Sequence, residues 1–232
     1  MENQPKNNFQ RVKKGESFKM SKNDGIKQIK IKMSWKKNRV NGQTIEDLDL
    51  AIIGLSTTQM NGEPKDIMYS NPYVVFWGNK DIAKNVIVDN EKKEHFIAPN
   101  ESIVHFGDIR EVGETGDSET AIIDLEKLPS DMTKVALVCS TYDDQDDYKN
   151  AKLYNYNEAK VEITEANTKK ELLSYTFSDD EDFKDTTSVI FGFLEKTSSG
   201  WQFKAVSAKD DALRKAGKNS DSKGVFFFID LF

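Results

Sequence analysis

With 232 residues, 37 % of them hydrophobic and 31 % charged, the chain is polar for a folded protein, yet its fourteen Phe, seven Tyr and three Trp exclude a disordered composition. A formal net charge of -6 excludes a general nucleic-acid binder, which needs a basic excess to displace counterions from phosphate. One cysteine excludes an intrachain disulfide or a Cys-based zinc site, and two histidines, His95 and His105, leave little material for a histidine-rich metal site or a Ser-His-Asp triad.

The length suits one large all-β domain or two small ones. Residues 1–8 are polar and read as a flexible tail. MENQPKNNFQRVKKGESF holds no apolar segment of signal-peptide length, and nowhere do ~18 apolar residues run together, so a soluble, cytoplasmic protein is expected. VKKGESFKMSK reads as two extended pieces around Gly15. In IKIKM, Ile29, Ile31 and Met33 alternate with Lys30 and Lys32, which predicts a half-buried strand, and Asn41-Gly42 after Trp35 predicts a turn.

In IEDLDLAIIGL, period two puts Asp47 and Asp49 on one face of a strand and Leu48 and Leu50 on the other. The chain turns wholly apolar from Ala51 to Leu55, so the two carboxylates stand side by side where a buried strand emerges, and like charges there need a counter-ion. The alternative is a pair of exposed strand aspartates with no task. A second Asn-Gly, at 61 and 62, precedes the apolar run YVVFW (73–77), and VIVD (86–89) and SIVHF (102–106) read as strands.

SIVHF leads into GDIREVGETGDSE, with carboxylates at Asp108, Glu111, Glu114, Asp117 and Glu119 and glycines at 107, 113 and 116. Such a loop is either washed by solvent or wrapped around a cation, and calcium, which takes about six to eight oxygens at flexible geometry, suits it. Beyond it come a strand (121–125), a turn stopped by Pro129, and a buried strand from Lys134 in which Cys139 is a core thiol. The second acidic cluster, YDDQDDY (142–148), is no EF-hand: with Asp143 as its first position, Tyr148 and Tyr154 stand where Gly and Glu are required.

AKVEITE and ELLSYTF predict a hairpin, SDDED (178–182) the start of a short helix, and TTSVIFGFLEK with GWQFKAVS a late hairpin. AKDDALRKAGK (208–218) reads as another short helix, and the closing VFFFIDLF is either a last strand packed on the body or a docking segment. Ten or more closely spaced strands predict an all-β, two-sheet β-sandwich with short helical segments in loops and near the C-terminus. Its parts are the tail at 1–8, the domain at 9–208 and an extension at 209–232.

Several stretches follow one another in an order similar to that of a known family. VKKGESFKMSK resembles its opening Lys-Gly hairpin, and Trp35, Gly42 and DLDLA (47–51) resemble its Trp strand, Gly turn and Asp-Leu-Asp-Ala-Ser. Trp77-Gly78-Asn79 is similar to its Tyr-Asn-Asn, and GDIREVGETGDSE to its Gly-Asp-Asn and the acidic loop that ends in Glu. IIDLEKLPSDMTKVALV, TYDD, VIFGFLEK and WQFKAVS follow in the same order.

The family is TerD, the tellurium-resistance and general stress proteins of bacteria, and the resemblance covers roughly residues 9–208. It implies a β-sandwich that binds one or two calcium ions in acidic loops at one end of the sheets, with no established catalysis. Carried over residue by residue, it puts ligands at Asp47, Asp49, Asn79, Asp108, Asp117, Glu119 and Asp143, with backbone carbonyls around Gly113. Ile109 stands where the family has Asn, and Thr115 and Ser118 where it often has Asp. Less ligand charge lowers affinity, so at least one site is expected to be weaker or absent.

The leading expectation is a calcium-binding, non-enzymatic stress-response protein with a divalent cation and proteins as partners. A hydrolase using Asp47 with Asp49, or Asp108 with Glu119, is a second reading. A third is a scaffold component of a phage or membrane-associated stress complex, docking through its Phe-rich tail. A carbohydrate-binding sandwich would use Trp77 or Trp201 as a stacking platform, although strand tryptophans are more often buried.

Overall fold

The computed structural model describes residues 10–11, 16–21, 25–36, 38–40, 43–45, 48–107, 117–141, 153, 157–176 and 188–209. The strands are β1 (Gln10–Arg11), β2 (Ser17–Ser21), β3 (Gln28–Lys36), β4 (Asn38–Val40), β5 (Gln43–Ile45), β6 (Leu48–Met60), β7 (Glu63–Met68) and β8 (Val74–Val75). They continue as β9 (Ala83–Val88), β10 (Glu91–Ile97), β11 (Ile103–His105), β12 (Asp117–Asp124) and β13 (Lys134–Thr141). The last four are β14 (Asn157–Glu165), β15 (Glu171–Thr176), β16 (Ser188–Thr197) and β17 (Gly200–Lys209).

Two sheets form the two-layer body predicted from the sequence. The first has the order β1-β15-β14-β3-β12-β11-β10-β9, and the second the order β2-β17-β16-β13-β6-β7 with β8 also paired to β6. β4 and β5 form a separate hairpin, and the parallel pairing of β1 with β15 is the exception to antiparallel order. Single turns of 3-10 helix lie at Asn71–Tyr73, Lys80–Ile82 and Pro99–Glu101. Among the described residues, no helix is long and apolar enough to cross a membrane.

Alternation holds where one face of a strand meets water. In β3, Ile29, Ile31, Met33 and Trp35 are buried while Lys30, Lys32 and Lys36 are exposed, and this strand lies between β12 and β14. It fails as a guide in the second sheet. Residues 48–55 of β6 and 135–139 of β13 are all buried, because these central strands are covered on both faces. Gly54 shows how tightly: a Cβ there would lie 2.5 Å from the Met132 methyl carbon and 3.1 Å from Tyr73 Cβ.

The expected hairpins β14–β15 and β16–β17 are present, and Cys139 is buried. β17 runs on to Lys209, so Ala208 and Lys209, expected to open a helix, are instead paired with Ile190 and Val189. YVVFW contributes only Val74–Val75 as strand, because 3-10 turns flank it. Trp77 and Trp201 are both buried, so neither presents an open stacking face. The tail at 1–8, SDDED, YDDQDDY and the chain from 210 onward lie outside the described residues.

Two hairpins went unread in the sequence. Asn61 and Gly62 have φ of 54° and 85°, and Asp89 and Asn90 have 52° and 63°, the left-handed pairs that close two-residue hairpins with the twist of the strands. They join β6 to β7 and β9 to β10.

The alternation in β3 has a measurable consequence. Ile31, opposite Ala121 and Ile163 in the core, should cost about 2–5 kcal/mol on Ile31→Ala. Lys30→Ala, one residue away on the wet face, should stay within about 0.5 kcal/mol by urea unfolding.

Candidate metal centre

The antiparallel registers bring four strand ends together. Ser140 of β13 pairs with Asp49 of β6, and Thr141 pairs with Leu48, so β6 begins where β13 ends. In the first sheet His105, the last residue of β11, pairs with Ala121, close to the start of β12. Gly107 and Asp117, the described residues on either side of 108–116, thus lie toward this end.

Asp49 does not stand on a half-exposed strand as alternation alone suggests. Leu48, Asp49 and Leu50 are all buried, with Asp49 only 5 % exposed, because β6 is covered on both faces. This removes the reading of an exposed aspartate with no task.

Glu119 belongs to a strand, not to the end of a loop. β12 pairs with β3 from Asp117 opposite Trp35 through Glu119 opposite Met33, so the acidic loop is shorter than the sequence reading made it. Glu119 shares its parity with Ala121 and Ile123, both core residues, and so turns inward with 0 % exposure. Its Oε2 accepts a 2.6 Å hydrogen bond from the Leu50 amide. That amide precedes Ile52, where the pairing of β6 with β8 begins, and the carboxylate stands where the ladder offers no strand.

His105 completes this contact. Its Nδ1 accepts a 3.2 Å hydrogen bond from the Gly107 amide, which puts the ring proton on Nε2. Nε2, buried and without a hydrogen-bond partner among the described residues, lies 3.4 Å from Glu119 Oε2. Gly107 has φ of 100°, and a Cβ on it would lie 2.5 Å from the Glu94 carbonyl oxygen, so only glycine fits where the acidic stretch begins.

Asn79 sits in the turn after β8. Its side-chain amide donates to the carbonyls of Val74 (2.7 Å) and Asn71 (3.0 Å), bracing the turn and leaving its Oδ1 as the atom for any ion. The pairing of Val75 with Ile52 directs the following residues toward the Asp49 end of β6.

The structure therefore brings Asp49 and Glu119 to one end of the sandwich, with the backbone of Asp117 beside them in the ladder. Asp47, Asp108, Gly113 and Asp143 lie outside the described residues. Among the described residues, no three His, Cys, Asp or Glu side chains are arranged to hold a metal ion. His105 was missed as a site residue, although its parity with buried Ile103 marks it as inward-facing.

Residues 10–213 match the TerD domain family. General stress protein 16U of Bacillus subtilis (strain 168) is 24 % identical over 199 residues, 84 % of this chain and 88 % of that protein. Tellurium resistance protein TerD of Serratia marcescens is 23 % identical over 197 residues, with 84 % of this chain and 88 % of that one covered. Among solved structures, a Streptomyces coelicolor A3(2) homologue of the telluride resistance protein TerD superposes with a TM-score of 0.50 at 14 % identity, covering 81 % of this chain and 92 % of its own. A crystallised protein of unknown function gives 0.54 at 17 % identity, with coverage of 81 % and 91 %. At these identities the structural likeness speaks to the fold.

His95, on the neighbouring strand, gives this end a pH dependence. Burial, then the nearby His105 and Lys93, hold its pKa below the ordinary histidine value, and the Phe106 ring covers it at 4.9 Å. The unfolded chain takes up this proton first, so stability should fall as pH drops below about 6.5, where an unfolded histidine titrates. Urea unfolding between pH 8 and pH 5 should show the decline in the parent, with its His95 component absent in His95→Gln.

Proposed function

The chain belongs to the TerD domain family, and on that premise we propose that it is a calcium-binding, non-enzymatic stress-response protein of the tellurium-resistance type. Bound calcium orders its acidic loops into a surface for protein partners. The observation that carries the reading is the Glu119 carboxylate, withdrawn from water and held on the Leu50 amide at the mouth of the acidic stretch.

A buried carboxylate is stable only beside compensating charge or donors, and Asp49, next in the chain to Leu50, brings a second negative charge to the same end. Their oxygens are hard donors, the kind calcium takes, and Cys139 is buried within β13. Asp49 and Glu119 supply the fixed part of the ligand set. Asp47, the Asn79 Oδ1, Asp108, the Gly113 carbonyl, Asp117 and Asp143 complete one or two sites. Ile109, Thr115 and Ser118 lower the ligand charge, so one of two sites is weak.

Glu119 and the 5 % exposed Asp49 are closed to a substrate, which supports a binding role over acid/base hydrolysis. The residues' task is electrostatic. With their charge offset by a bound divalent ion, the loop carboxylates pack close, and the ordered loops form the contact surface. The setting we propose is the cytoplasm, with no nucleic acid among the partners.

Chelated protein titrated with calcium chloride should release or absorb heat, and its melting temperature should rise by about 5–10 °C at calcium concentrations near a hundred times Kd. Glu119→Gln keeps an acceptor for the Leu50 amide but removes the charge. It should weaken the calcium response while leaving the metal-free melting temperature equal or higher. No heat and no thermal shift in the parent would overturn the reading.

A further inference from the structure

β3 runs from Gln28, opposite Asp124, to the end where Trp35 lies opposite Asp117, two residues from Glu119. At its Gln28 end, away from Asp49 and Glu119, the sandwich is not sealed. A cavity of about 420 Å³ opens there between the layers, within the size range of small-molecule sites. Its apolar lining comes from both sheets: Met20 of β2 and Trp201 of β17 from one, Ile26 ahead of β3 and Leu125 and Leu128 beyond β12 from the other.

Hydrogen bonds hold these walls before any ligand arrives. The Leu125 amide donates to the Lys27 carbonyl and the Lys196 amide to the Thr133 carbonyl, each at 2.8 Å. The buried Asp124 carboxylate accepts from the Gln28 side chain at 2.8 Å and from the amides of Glu126 and Lys127 at 3.1 and 3.2 Å. A cavity built this way spends little entropy on ordering itself around a guest.

The charge at its rim is one-sided. Lys27 and Glu126 pair at 3.2 Å and offset each other. Lys196 Nζ donates to the Ser130 carbonyl at 2.7 Å and lies 5.8 Å from the centroid of the Trp201 ring, and among the described residues it meets no carboxylate. An ammonium has three N–H donors, so two remain for a guest. The complement of an apolar cavity edged by one uncompensated cation is an apolar body that ends in a negative charge.

We propose that this cavity binds a small organic anion, its ring-sized apolar body against Met20, Leu128 and Trp201 and its negative group on Lys196. The site is separate from the proposed calcium site and does not rest on it.

Two fluorescent probes with one ring system test it on the full-length protein in calcium-free buffer: anilinonaphthalene sulfonate, and phenylnaphthylamine, which lacks the sulfonate. The parent should bind the sulfonate saturably, one probe per chain. Lys196→Met, a change at an exposed side chain, should weaken the sulfonate about 10-fold and leave the neutral probe within about 2-fold of the parent. A parent without saturable binding overturns the inference. So does a Met variant that binds the sulfonate as the parent does, or one that loses both probes equally.

Discussion

The hydrogen bond from the Leu50 amide to Glu119 joins the two sheets near the starts of β6 and β12. Apolar contacts between sheets are non-directional and would tolerate small slips of one layer over the other. A carboxylate accepting from a backbone N–H is directional and stronger than a neutral pair, and it fixes the layers where it forms. Asp49, Glu119 and His105 come from three strands in two sheets, and their common location depends on this contact.

Placing a carboxylate there is costly, and the neighbouring structure shows how the cost is limited. The Leu50 amide lies beyond the reach of β8, so a buried backbone donor and a buried acceptor satisfy each other. His105 lies alongside, its Nε2 3.4 Å from Glu119 Oε2 and its Nδ1 accepting from the Gly107 amide. Gly107, confined to glycine by its φ and by the Glu94 carbonyl, holds the backbone in the turn that makes this tautomer possible.

Much of this was legible in the chain, and what was missed has definite causes. Ile29, Ile31 and Met33 against Lys30 and Lys32 announce a strand with one wet face, and β3 has one. Glu119 is equally legible by parity with Ala121 and Ile123, but glycines and acids dominate the residues before it and give the stretch the look of a loop. For Asp49, strand period says which residues share a face, and only tertiary packing decides whether both faces are covered. The charged run EKKEHFI concealed β10, because most of the β9–β10 hairpin is open to water and needs no apolar alternation. Asp47 and Asp108, to which strand period and loop composition point, and Gly113 and Asp143, which rest on the family resemblance, lie outside the described residues.

The departures at Ile109, Thr115 and Ser118 bear on how the proposed site divides its work. A loop with fewer carboxylates repels itself less when no ion is present, and it also offers less charge when one arrives. The fixed strand residues then carry a larger share of the attraction. Asp49 and Glu119 suit that share because they sit on strands whose geometry is set by the ladders to β13 and β3 before any ligand binds. Preorganised oxygens lose little freedom on binding, which compensates in entropy for what the loop lacks in charge. On this reading the chain would favour a single calcium ion seated against the sheet framework over two held in a highly charged loop.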